Sequence, residues 1–169
     1  MAININKLLN CNVYVDGGEL LGQVEEFDIP ELNFKMVEHK ALGLFGSFEL
    51  PSGLDKLEAR CKWNAFYDDV VSTSNPYKAI QFQVRANLET YGSTGRTGQQ
   101  SMVFTMTAVP KKLPGFKFKQ SDNVEMESTF SITRCKLVVD GQTKFEADVT
   151  ANKLVIDGED VLSTFRANS

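Results

Sequence analysis

Apolar and polar residues alternate with a period of two over much of this chain. Leu57, Ala59, Cys61 and Trp63 interleave with Lys56, Glu58, Arg60 and Lys62. Around residues 79–88, Ile80, Phe82, Val84 and Leu88 fall on one face, and Gln81, Gln83, Arg85, Asn87 and Glu89 on the other. Met102, Phe104 and Met106 alternate with Val103, Thr105 and Thr107. Successive side chains of a strand point to opposite faces, so each run predicts a strand with one face turned to a core. Weaker forms of the pattern predict strands over residues 12–16 and 20–29 and through Leu32, Phe34 and Met36. Others follow over 124–139, 143–149 and 153–156. The runs 79–88 and 102–107 read as paired strands joined by a mobile loop, Gly92 to Gly98.

Three runs break at Asp-Gly: Asp16-Gly17, Asp140-Gly141 and Asp157-Gly158. A two-residue hairpin turn that matches strand twist needs positive φ at both central positions, and Asp and Gly adopt it at low cost. Tight hairpins, and hence antiparallel sheet, follow. One stretch has helical spacing: Phe66, Tyr67, Val70 and Val71. Asp68 and Asp69 complement the N-terminal end of its dipole, and Asn75-Pro76 stops it. Residues 39–54 carry Leu42, Leu44, Phe45, Phe48 and Leu50 among Gly43, Gly46, Pro51 and Gly53. That is too glycine-rich and aperiodic for a helix or strand, and it predicts a packed loop, either over its own core or against a neighbouring copy. The fold class expected is mainly β, an antiparallel sandwich or barrel with one short α-helix.

With 169 residues, 42% apolar and 24% charged, the chain suits one cored domain over residues 1–169. No window approaches the ~18–20 apolar residues of a membrane span, and Met1 to Lys7 lacks a secretory h-region, so a cytosolic protein without a membrane anchor is expected. Cys11, Cys61 and Cys135 are odd in number and widely spaced, which argues against a disulfide framework or zinc site and for small buried hydrophobes. A net charge of −4 opposes a nucleic-acid-binding surface. Lys111, Lys112, Lys117 and Lys119 around Pro114-Gly115 read as a solvated turn. His39, the only histidine, has no catalytic partner in the pattern, and Gly92 to Gly98 lacks the Lys-Ser/Thr ending of a phosphate loop. The acidic groups Glu25/Glu26/Asp28, Asp122/Glu125/Glu127 and Asp157/Glu159/Asp160 do not follow calcium-loop spacing. No catalytic residue, metal or cofactor is expected; the chain suits assembly better than turnover.

The order of segments resembles the major tail tube protein family of contractile-tailed phages and of phage-tail-like bacteriocins, the R-type pyocins. The resemblance rests on Asn12-Val13-Tyr14-Val15-Asp16-Gly17 with Gly22 and the run to Ile29-Pro30-Glu31-Leu32. It continues in Ala41-Leu42-Gly43, Gly53-Leu54-Asp55-Lys56-Leu57-Glu58-Ala59 and Cys135-Lys136-Leu137-Val138-Val139-Asp140-Gly141. It implies a small β-sandwich whose strands join those of neighbours into a ring-shaped inner barrel of six copies. Rings stack into a tube inside a contractile sheath, with baseplate and tail-terminator proteins at its ends. The tube lets DNA pass without specific binding in a phage, or punctures an envelope in a bacteriocin. It implies a virion tail, or a tail-like particle, assembled in the host bacterial cytoplasm.

Under that resemblance, six copies of a −4 chain carry −24, a poor surface for holding phosphate. The lumen is assigned to residues 20–38 and 79–109, read as hairpin-like pairs, with Gln81, Gln83, Asn87 and Thr105 facing inward. Leu42, Leu44, Phe45, Phe48 and Leu50 are assigned to contacts with the adjacent ring. Two other readings stand beside this one: a type VI secretion tube protein, and a monomeric β-sandwich binding module.

Overall fold

The computed structural model describes residues 3–20 and 22–169. Met1 and Ala2, and Leu21 within the expected 20–29 strand, lie outside the described residues. The first half runs β1 (Ile5–Val15), β2 (Gly18–Glu19), β3 (Val24–Asp28), β4 (Phe34–His39), β5 (Phe48–Leu54), β6 (Leu57–Trp63) and α1 (Asp68–Ser72). The second runs β7 (Ile80–Gly92), β8 (Gly95–Pro110), β9 (Met126–Val139), β10 (Gln142–Asp148), β11 (Lys153–Ile156), β12 (Glu159–Asp160) and α2 (Ser163–Ala167). The pairings are antiparallel throughout the described residues.

All three Asp-Gly turns form as the sequence predicts. Their φ angles are 47° and 86° at Asp16-Gly17, 53° and 79° at Asp140-Gly141, and 48° and 86° at Asp157-Gly158. Each aspartate also extends the sheet, because its backbone N–H donates to a carbonyl on an adjoining segment: Gln81 at 2.9 Å, Ser101 at 2.8 Å and Lys144 at 2.6 Å.

Ten strands make one sheet in the order β12-β11-β10-β9-β8-β7-β1-β2, with a branch from β9 through β6 to β3. The branch has a local cause. On one edge of β9, β6 takes Met126 to Ile132 and β10 takes Arg134 to Val139. Thr133 between them is the extra residue of a bulge, since Thr107 faces Arg134 while Ala108 faces Ile132. A bulge shifts a strand's facing by one residue. The buried set accordingly passes from Met126, Ser128, Phe130 and Ile132 to Cys135.

The sheet folds over on its own apolar face. Phe82 of β7 packs on Phe130 of β9 at 4.9 Å and on Phe27 of β3 at 5.6 Å, although β3 and β7 are not ladder neighbours. Trp63, Val70 of α1, Met106 and Ala108 complete a sandwich-like core.

Several expectations change. Residues 39–54 are not all loop: Phe48 to Leu54 pair with β4 to form a separate two-stranded sheet. Pro51 and Gly53 are tolerated there because β5 is an edge strand, and Gly53, at φ 138°, sits where the register shifts between Lys35 and Met36. Residues 20–38 are not a hairpin, because β3 pairs with β6 and β4 with β5. The Gly92 to Gly98 segment is ladder, not a long loop: only Ser93 and Thr94 separate β7 from β8, and Gly92 faces Gly95. Cys61 and Cys135 are buried, but Cys11 is exposed on β1. The expected helix forms as α1, and α2 adds a second.

Candidate assembly surfaces

The β4–β5 hairpin stands out from the body as an arm. Of the residues assigned to ring-to-ring contact, Leu42 and Phe45 are fully exposed at its tip, and Leu44, Phe48 and Leu50 are about half exposed. His39 and Phe48, paired at the end of the ladder, stack edge to face at 5.3 Å and close the arm below the tip. Asp55 N–H donates to Asn33 O at 2.7 Å and ties the arm's base together.

The four lumen candidates share one face of the main sheet. Gln83 lies directly opposite Thr105, and Gln81 opposite Thr107, whose hydroxyl donates to Gln81 Oε1 at 3.1 Å. Asn87 lies opposite Ser101 on one side and Asn10 on the other. This face also carries charge. Arg85 sits between Gln83 and Asn87, with its guanidinium 5.2 Å from the Tyr14 ring centre. Lys136 follows Thr105 across the next ladder, and Glu146 follows Lys136. Burial pushes the Glu146 carboxyl up. The Lys153 ammonium at 3.1 Å and the Arg134 guanidinium at 3.0 Å more than reverse this, holding it below its ordinary value. The wall is therefore a mixed one, with cations lying over sunken carboxylates.

Beyond the core, β1, β7 and β8 continue as a three-stranded extension. Among the described residues no strand pairs with the outer edge of β1 from Ile5 to Asn12, and none covers β8 from Gly95 to Ser101. Ile5, Leu8 and Leu9 are exposed along that open edge. One carboxylate braces the extension. Glu89, read from the sequence as water-facing, is 1% exposed and accepts from Tyr91 Oη at 2.7 Å, Arg96 Nη1 at 2.8 Å and Gln99 Nε2 at 2.8 Å. Those donors hold its carboxyl down at about 2.

A groove of about 730 Å³ opens between the arm's base and α2, lined by Phe34, Leu54, Val149, Leu154, Leu162 and Phe165. Arg166 fixes its far wall. Its guanidinium donates to Asp160 Oδ2 at 2.5 Å and to Asn152 O at 3.1 Å, which seats α2 beside β11 and β12. Sequence reasoning did not single out the groove or the β1 edge. The cluster Ile3, Ile5, Leu8, Leu9 was a visible signal for the edge; the groove joins distant segments and had none.

A family described as phage tail tube protein FII matches residues 5–168. The tail tube protein of Escherichia phage P2 is 24% identical over 167 residues, covering 96% of this chain and 95% of that protein. Solved assemblies contain chains of similar fold. One is the extended-state sheath/tube terminator of the extracellular contractile injection system PVC. The match has 14% identity and a TM-score of 0.54 and covers 76% of this chain and 91% of that one. The extended-state PVC sheath-tube complex gives 13% identity and a TM-score of 0.53, covering 76% and 86%. The structural likenesses speak for the fold, and the family match spans nearly every residue that builds it: this chain belongs to the phage tail tube protein FII family.

Proposed function

We propose that copies of this tail tube protein close side by side into hexameric rings, and that the rings stack into the inner tube of a contractile tail. The observation that carries this reading is the β1–β7–β8 extension with both edges open. Unpaired N–H and C=O groups on such edges take up a partner strand, and closing a ring satisfies them all at once. The mixed face bearing Gln81, Gln83, Asn87 and Thr105 is the proposed lumen wall. Cations already paired with Glu146 and Asp148 release few counterions to a passing duplex, so DNA slides without being held. The protein acts as a structural element, without catalysis or cofactor. A surrounding sheath, a baseplate and a terminator are the partners this role requires, in a virion tail or tail-like particle assembled in the bacterial cytoplasm.

Negative-stain microscopy of the purified protein tests the proposal. Rings or hollow rods are the expected result, and compact monomers at high concentration would overturn it. The exposed arm is the proposed contact between rings. Phe45→Ser combined with Phe48→Ser should leave a folded subunit that does not stack, and normal tubes from that variant would remove the arm from the contact. The fold shared with PVC chains supports a second reading, a particle that carries no genome. Nuclease-protected DNA in purified particles distinguishes the phage reading from it.

A further inference from the structure

We propose that the groove between the arm's base and α2 receives the arm tip of a second copy, so that stacked subunits join head to tail. This rests on the tube reading above and names the receiving surface for its stacking contact.

Both halves of the contact are present on each chain. The tip, residues 40–47, presents Leu42 and Phe45 with their side chains fully in solvent, and its only formal charge is Lys40. The groove offers six apolar walls and about 730 Å³, within the ~300–1,000 Å³ of sites that enclose small organic groups. Its rim is acidic. The turn from Asp157 to Asp160 holds three carboxylates; Asp157 pairs with Lys144 and Asp160 with Arg166, while Glu159 has no ion pair among the described residues. A cationic apolar tip thus faces an anionic apolar groove.

A chain cannot fill its own groove. The arm's ladder runs from Phe34 opposite Leu54, at the groove, to His39 opposite Phe48, below the tip. Five residues at ~3.3 Å each hold the tip about 17 Å away. The occupant must come from another copy. Because tip and groove are different patches, the contact is heterologous, and each added copy presents a fresh groove or tip.

The test uses two variants at exposed positions, where folding is not at stake: Phe45→Glu disables the tip and Phe165→Glu disables the groove. Circular dichroism checks that each is folded, and mass photometry reads assembly. Neither variant alone should form tubes. Mixed, they should form a discrete assembly of two layers, the intact tip of one in the intact groove of the other, that stops growing there. Tubes from Phe165→Glu alone, with wild-type tubes normal, would overturn the groove and leave the tube reading standing. Two stacking-dead variants that give no two-layer species on mixing would overturn the pairing. Wild-type protein that never forms tubes would sink the tube reading and this inference with it.

Discussion

Trp63 donates its indole N–H to Ser128 Oγ at 3.0 Å, between β6 and β9, with both residues sealed from water. The chain's single tryptophan is thereby both the largest fully buried side chain and a satisfied one. Ser128→Ala strands a buried donor, which costs about 1–3 kcal/mol. Urea unfolding followed by the Trp63 fluorescence should show a lower midpoint at unchanged slope. An unmoved midpoint would mean the hydrogen bond contributes nothing net.

The Asp-Gly turns make a backbone prediction. At Gly141, φ is 79° and a Cβ would meet nothing within 4 Å, so the cost of Gly141→Ala is torsional alone. A left-handed residue with a Cβ costs roughly 1–2 kcal/mol, and each kcal/mol lowers Tm by about 2–4 °C in a domain of this size. Gly115→Ala, equally open and without a left-handed φ, should change stability by less than about 0.5 kcal/mol. Equal Tm losses in the two variants would refute the turn geometry.

Glu89 sets a pH dependence. Hydrogen bonds from Tyr91, Gln99 and Arg96 hold its folded carboxyl at about 2, and unfolding returns it to the ordinary 4.5. As pH falls, the unfolded chain binds the proton first. The contribution of Glu89 is therefore complete above about pH 4.5 and is lost between there and about pH 2. Glu89→Gln should flatten the loss of stability over that window. The slope does not vanish, because Glu58, held at about 2 by Lys111 and Lys56, titrates in the same range. Identical acid limbs for variant and wild type would refute the assignment.

The cysteines separate by accessibility. Burial pushes the Cys61 thiol up to about 12 and the Cys135 thiol up to about 11, and both side chains are closed to solvent. Maleimide treatment of the native protein should label Cys11 alone, slowly because partial burial raises its thiol too; denaturant should expose all three. Peptide mapping after native labelling reads the result, and early modification of Cys61 would contradict the packed β6–β9 ladder.

Strands such as β6 and β7 were legible because each keeps strict alternation across a half-buried sheet, and the hairpins because Asp-Gly has one cheap geometry. What escaped the pattern has physical causes. β5 hides behind Pro51 and Gly53, which an edge strand with a free side accepts. Glu89 looks water-facing by parity, and only its meeting with Tyr91, Arg96 and Gln99 covers it. The bulge at Thr133 reverses facing in mid-strand, which no fixed period can anticipate. The four lumen candidates did fall on one face, because parity along β7 and pairing with β8 are local. The groove, built from segments more than a hundred residues apart, exists only in three dimensions.

The β4–β5 ladder shares no bond with the ten-stranded sheet. Fraying it leaves the body's hydrogen bonds untouched, so the arm can melt and re-form while the core stays folded. A subunit built this way meets its neighbours as a hard body with a soft handle. Mismatch between one layer and the next is absorbed in the handle, and a column of such subunits can flex at every joint without any subunit unfolding.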